Sequence, residues 1–183
     1  MPDPRSEYGV FVNCPFDDAY RPLFEAIVFA VHDCGYVVRS SLEVTDASQV
    51  RIDKIASIIG SCRLGIHDIS RTELDVETQL PRFNMPLELG LFLGAKRFGS
   101  GKHRSKTCLI LDIERYRYQK FISDIAGQDI AVHGGNADDA IKAVRKGSGP
   151  PLLGRSRFLV ARRSPGATSR FGANCRRLAS GSI

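Results

Sequence analysis

The 183-residue chain has no tryptophan, only two methionines and no C-x-x-C pair. Its five cysteines, Cys14, Cys34, Cys62, Cys108 and Cys175, are scattered and odd in number. That excludes a small disulfide framework and gives zinc no ligand pair at finger spacing. Reduced thiols and no metal site are the expectation. No G-x-G-x-x-G stretch and no G-K-[ST] loop occurs. The usual backbone cradles for dinucleotides and for triphosphates are therefore missing. The longest apolar run, around Ala26 to Val31, falls far short of the roughly 20 residues that span a bilayer. No cationic start leads into an apolar stretch, so nothing reads as a secretory leader. A cytoplasmic protein with no membrane partner is expected.

Acidic side chains are absent from residues 147–183, where seven arginines sit among Gly, Ser, Pro and Ala without periodicity. Residues 1–146 hold 19 basic and 20 acidic side chains, so the formal charge of +6 belongs to the tail. A nearly neutral domain lacks the basic groove that sequence-independent phosphate binding needs. Two parts follow: an α/β domain over 1–146, and an Arg/Gly/Ser-rich tail over 147–183 expected to be disordered. Nucleic acid is an expected partner only weakly, through that tail.

Hydrophobic residues make up 43% of the chain, enough for one sizeable core. Tyr8 to Asn13 reads as a buried strand, and the Asp17-Asp18 pair after Pro15 can cap a helix. Leu23, Ile27, Ala30, Val31 and Cys34 recur at helical spacing until Gly35. Tyr36 to Ser40 is a second strand. Ile52, Ile55, Ala56 and Ile59 form a helical stripe with Asp46 or Ser48 near its start and Gly60 at its end. Leu64 to Ile69 is a third strand, followed by a long polar loop from Ser70 to Phe83. A helix whose first turn holds Pro86 comes next. Lys106 to Asp112 is a fourth strand, Asp129 to His133 a short fifth, and Asn136 to about Arg145 a last helix. This alternation predicts a flavodoxin-like α/β three-layer sandwich around a mainly parallel five-stranded sheet.

In such open sheets ligands bind outside the carboxyl ends of the strands. Glu88 is a lone carboxylate in the apolar run Asn84 to Gly94, with Met85, Leu91 and Phe92 on its face of the helix. Its bland reading is a first-turn glutamate stabilised by the helix dipole. Its functional reading is a nucleophile or cation stabiliser at a sugar C1′, with Asp68 orienting a hydroxyl or the base. Asp68 is otherwise a strand-end cap, and His67 reads as a packing histidine. Asn13 and Phe16 at the end of the first strand, and Asn84 at the third helix, fall on the same rim as substrate-binding candidates. Asp17 and Asp18 read as helix caps or as partners for ribose hydroxyls, and Arg51 as a phosphate contact or a solvated arginine. Arg115 to Phe121 interleaves bases with aromatics, which suits either base stacking or a helical turn with snorkelling arginines.

At these residues the chain resembles the superfamily that joins nucleoside 2-deoxyribosyltransferases to TIR and TIR-like domains. The likeness covers about residues 8–133. It rests on His67-Asp68-Ile69-Ser70 at a strand end, followed by a loop and Glu88-Leu89-Gly90 on a helix. The resemblance implies that Glu88 is catalytic and Asp68 accessory. It also implies an N-glycosidic bond as the target, in NAD or another nucleotide, with no cofactor required. Asn84-Met85-Pro86 departs from the transferase approach to that glutamate, and Asn13 to Asp18 is closer to the TIR-like style. The leading expectation is an NAD-nucleosidase-like hydrolase, with a homo-oligomer and a role in bacterial defence implied by resemblance. The alternatives are a noncatalytic nucleotide-binding or self-association module, and a nucleoside 2-deoxyribosyltransferase.

Overall fold

The computed structural model describes residues 8–43 and 48–147. The expectation of a disordered tail and the proposed capping role of Asp46 lie outside the described residues. Within them the order is β1 (Gly9–Asn13), α1 (Arg21–Asp33), β2 (Val37–Arg39), α2 (Arg51–Ser61), β3 (Leu64–Asp68), α3 (Asn84–Phe98), β4 (Thr107–Asp112), β5 (Ile130–Val132) and α4 (Ala137–Gly147). The strands form one sheet in the order β2-β1-β3-β4-β5, with every pair parallel. The flavodoxin-like α/β expectation is therefore the observed architecture.

Alternation along β1 divides the core. Val10 and Val12 face the layer of α1 and α4, where they pack with Ile27, Val31, Ala140 and Val144. Phe11 points the other way, into the layer of α2 and α3 with Ile55, Ile58, Ile59 and Phe92. A strand covered on both faces needs apolar residues at both parities, which is why β1 reads as a continuous hydrophobic run. Among the described residues no helix is long and apolar enough to cross a membrane.

Helix ends follow local chemistry in some places and tertiary chemistry in others. Gly35, at φ +86°, supplies the left-handed residue beyond the end of α1. The Asn136 Oδ1 accepts the N–H groups of Asp138 (2.8 Å) and Asp139 (3.2 Å) and caps α4. Gly60 does not end α2, which runs on to Ser61. That end is closed instead by Lys106, 1% exposed, whose Nζ donates to the carbonyl oxygens of Ile59 (2.6 Å) and Cys62. An ammonium there meets the negative pole of the helix, and it also lies 4.6 Å from the centre of the Phe92 ring. The loop before α3 holds no helix or strand, as expected, and is ordered locally. Leu74 and Pro81 pair as an antiparallel bridge, and the Asp75 carboxylate accepts the N–H groups of Glu77 and Thr78.

Gly65 in β3 is where a side chain is least tolerable. A Cβ there would lie 2.8 Å from His67 Nε2 and 2.9 Å from the Phe92 ring, both fully buried. Overpacking of this kind costs roughly 1–3 kcal/mol. Gly65→Ala is expected to lower the urea midpoint accordingly, and an unchanged midpoint would refute this account of the β3–α3 contact.

Candidate functional site

A cleft of about 720 Å³ opens beyond the carboxyl ends of β1 and β3. These neighbours flank the point where strand order reverses, the usual place for a ligand in an open α/β sheet. Cys14, Pro15, Phe16 and Asp17 form one wall, Leu42 and Arg51 a second, and the segment from Arg71 to Met85 the third. The expected residues Phe16, Asp17, Arg51 and Asn84 therefore come together on this cleft. Asn13, Asp18, Asp68 and Glu88 are not on its walls.

Glu88 lies one helical turn beyond Asn84 and Met85, behind the wall they form. It is 5% exposed, and among the described residues no donor bonds its carboxyl. Burial pushes its pKa up to about 7, and the Arg51 guanidinium acts against that rise. Its charge is also felt by the Cys14 thiol, which burial, then Asp68, then Glu88 push well above the usual value. A carboxyl of this kind is poised between its two protonation states near neutrality.

Asp68 has the opposite surroundings. It is wholly buried, and its carboxylate accepts the Tyr20 hydroxyl and the Ser70 N–H (2.8 Å). His133 Nε2 stands 3.1 Å from Asp68 Oδ2, close to it but without the alignment of a hydrogen bond. Because His133 Nδ1 accepts the Gly135 N–H, Nε2 carries the ring proton and faces the carboxylate. Burial alone would raise the Asp68 pKa, but His133, Ser70 and Tyr20 more than offset it, and the net shift is downward. With both oxygens engaged, Asp68 ties Tyr20 and Ser70 together at the rim.

The other expected residues divide in the same way. Asn13 is 1% exposed, and its amide nitrogen spans Met85 O (2.9 Å) and His67 Nδ1 (3.1 Å). It thus ties the end of β1 to the first turn of α3. His67 is packed edge-on between Phe11 and Phe92, and burial, with the Lys106 charge, pulls its pKa down to about 3. It stays neutral, as a packing histidine does. Asp17 caps the Tyr20 N–H (3.0 Å) and pairs with Arg71 (2.5 Å), while Asp18 is exposed. Phe16 packs edge-on against Phe24.

Sequence reasoning missed the Arg117 clamp. Arg117 bonds Asp112 Oδ1 and Thr72 Oγ1 (2.9 Å each) and the carbonyl oxygens of Ile69 (2.9 Å) and Ser70 (2.7 Å). It fixes the base of the segment that forms the third cleft wall. The expected helical turn is present as a 3-10 turn over Arg117–Lys120, but Arg117 turns inward instead of snorkelling to solvent. The available signal was its placement five residues after a strand-end aspartate. Arg71 and Arg82 were also missed as wall residues. Among the described residues no group of three His, Cys, Asp or Glu is placed to hold a metal ion. In comparisons with known proteins, no family model, no curated protein and no solved structure matches this chain.

The two carboxyls make opposite contributions to stability. Asp68, held below its unfolded value, stabilises the fold above the ordinary carboxylate range and loses that contribution as pH falls through its folded pKa. Glu88, raised above its unfolded value, destabilises increasingly as pH rises through about 7. Urea midpoints recorded between about pH 2 and about pH 8 should therefore show Asp68→Asn less stable than the parent at neutrality with a flatter limb below about pH 4. Glu88→Gln should gain on the parent toward the alkaline end. Parallel curves for all three proteins would contradict the assigned environments.

Proposed function

We propose that this chain breaks the N-glycosidic bond of a nucleotide or dinucleotide such as NAD, with Glu88 as the group that meets the sugar C1′. The observation that carries the proposal is a nearly buried carboxyl with no bonding partner among the described residues, set beside a switch-point cleft. Cleavage of such a bond builds positive charge on the ring carbon and oxygen. A desolvated carboxylate gains more from that charge than from the neutral ground state, which is the differential stabilisation that lowers a barrier. To reach Glu88 the sugar passes Asn84 and Met85 at the mouth of α3. Arg51 and Arg82 then lie on the walls for phosphate, and Leu42, Leu74 and Val76 offer exposed apolar surface for a base. Water completes the reaction at C1′.

The resemblance of Asp68-Ile69-Ser70 and Glu88-Leu89-Gly90 to the TIR-like and deoxyribosyltransferase pattern supports the same assignment. A defence role rests on that resemblance alone. Asp68 in this mechanism holds Tyr20 and the start of the β3–α3 segment in place. A second reading, a noncatalytic nucleotide-binding or self-association module, is favoured by one feature. Leu74, Val76, Leu80 and Phe83, between 48% and 87% exposed, crowd a single loop beside the cleft.

Concentrated full-length protein incubated with NAD and with deoxynucleosides should release nicotinamide or free base, read by chromatography. Glu88→Gln should keep ligand affinity and lose turnover by roughly 10²–10⁴-fold. Because the ionised carboxyl is the active form, turnover should rise with pH through about 7. Equal turnover in both proteins would remove Glu88 from the chemistry, and ligand binding with no turnover at high concentration would favour the binding module.

A further inference from the structure

The outward faces of the helices differ in kind. In α4 the exposed side chains are Asp138, Asp139, Lys142, Arg145 and Lys146, the polar face that a surface helix normally shows. In α3 Glu88 is the only charged residue from Asn84 to Ala95, and it is buried. Leu87, Gly90, Gly94 and Phe98 recur at spacings of three and four, so they form one stripe along the helix. Leu87 is 55% exposed and Phe98 88%, and a Cβ added at either glycine would meet nothing within 4 Å. A helix that is apolar all round is normally covered on every side, yet no described residue covers this stripe. Beside it, Pro86, Gly90 and Leu93 form one side of a groove of about 290 Å³, with Ile122 and Asp124 across from them. Arg97 continues the row of Pro86, Gly90 and Leu93 by a further turn, so it stands on the groove side of the stripe. Arg97 and Asp124 are both exposed, and neither has an ion-pair partner among the described residues.

We propose that the outward face of α3 is the contact surface of a two-fold dimer of this chain, with the two α3 helices antiparallel and crossing at Gly90 and Gly94. What selects a second copy as the occupant is that the stripe and its charges complement themselves. Phe92 is the midpoint between the glycines, and Phe98 lies six positions after it while Pro86 lies six before it. Antiparallel helices that cross there bring Phe98 of each copy level with Pro86 and Leu87 of the other. The same register sets Arg97 of each copy over the groove that holds Asp124 of the other. One rotation therefore covers both exposed apolar side chains and pairs both charges, twice over, which is the isologous arrangement of closed two-fold dimers. Glycine at the crossing lets the helix axes approach closely, because interaxial distance is set by the side chains at the contact. The helix propensity lost at Gly90 and Gly94 is then offset by a contact made only in the dimer. A face formed by one 15-residue helix is about 22 Å long, which places the dimer in the small, transient class of interfaces. The proposal goes beyond the chemistry at Glu88 and concerns a different surface from the apolar loop beside the cleft.

Sedimentation equilibrium of the full-length protein between about 1 and about 300 µM should show monomer and dimer in exchange, with a midpoint in the micromolar range. Gly94→Gln should move that midpoint upward by roughly tenfold, while its urea midpoint at the dilute end stays at or above the parent's, because glutamine is the better helix former. Phe98→Ser, a change at a side chain 88% exposed, should weaken the dimer by a similar factor. Arg97→Asp and Asp124→Arg should each be monomeric alone, since every contact between copies then sets like charges together. Mixed in equal amounts they should form a heterodimer, because each contact is again between opposite charges. A parent that stays monomeric throughout would overturn the proposal and leave the face to a partner of another sequence or to residues 148–183 of the same chain. Dimers indifferent to Gly94→Gln and Phe98→Ser would also overturn it, as would a mixture of the two charge variants that stays monomeric. Gly90→Gln takes the place of Gly94→Gln should the latter fail to fold. No step of this test reads turnover, so its failure leaves N-glycosidic cleavage standing, and a silent nicotinamide assay leaves the dimer standing.

Discussion

A carboxylate with no access to water sits at the carboxyl end of β3, and the geometry of the cleft descends from how its charge is satisfied. Taking Asp68 out of water costs several kcal/mol before its partners are counted. The Tyr20 hydroxyl, the Ser70 N–H and the His133 ring offset that cost only if all three are in place. Tyr20 comes from the approach to α1, Ser70 from the start of the β3–α3 segment, and His133 from the residue after β5. One buried charge thus ties together the ends of elements far apart in sequence. Arg117 repeats the device one strand away, joining Asp112 to Ile69, Ser70 and Thr72. Between these two knots the chain has little freedom where it leaves β3, and Arg71 is delivered to Asp17 across the cleft.

Set against Asp68, Glu88 shows what the same functional group becomes without partners. Both are acids near one rim, and their environments push their pKa values in opposite directions. Such divergence separates roles. The carboxyl that is fully bonded serves as a structural anchor, and the unbonded one keeps its capacity to answer a new charge. The arrangement also explains why Glu88 is behind the wall rather than on it. A fully solvated glutamate would return to its ordinary pKa and lose the low-dielectric setting that amplifies its response to a cation.

The fold was legible because hydrophobic periodicity is a local signal. The helical stripe from Leu23 to Cys34 and the apolar run before Asn13 specify α1 and β1 whatever the tertiary context. Asn136 announced the start of α4 for the same reason, since a cap acts within three residues. Gly60 misled because the end of α2 is closed by Lys106, whose partners lie 44 and 47 positions away in the chain, which is unreadable from the helix itself. The segment from Ser70 to Phe83 was legible as a loop, but its Asx turn and backbone bridge were not, because neither shows as periodicity. At the site, Glu88 was legible as a charge in an apolar run. The engagement of Asp17, Asn13 and Asp68 was not, because a polar residue at a strand end looks the same in sequence whether its partner is water or a buried donor.

α3 departs from local rules more often than α4 does, although α1 and α2 share its lack of a side-chain cap. α4 has a side-chain cap, acidic residues in its first turn and basic residues in its last. α3 begins at Asn84 with no side-chain cap and holds an unbonded buried carboxyl in its second turn. It also carries Gly90 and Gly94 in its interior, where an added Cβ would meet nothing within 4 Å. Each of those glycines costs about 1 kcal/mol relative to alanine in a helix, and neither is needed for close packing among the described residues. Selection for stability alone would correct each of these features by a single substitution. Of these features of α3, which leads out of the cleft wall at Asn84 and Met85, Glu88 is the one with chemistry to offer.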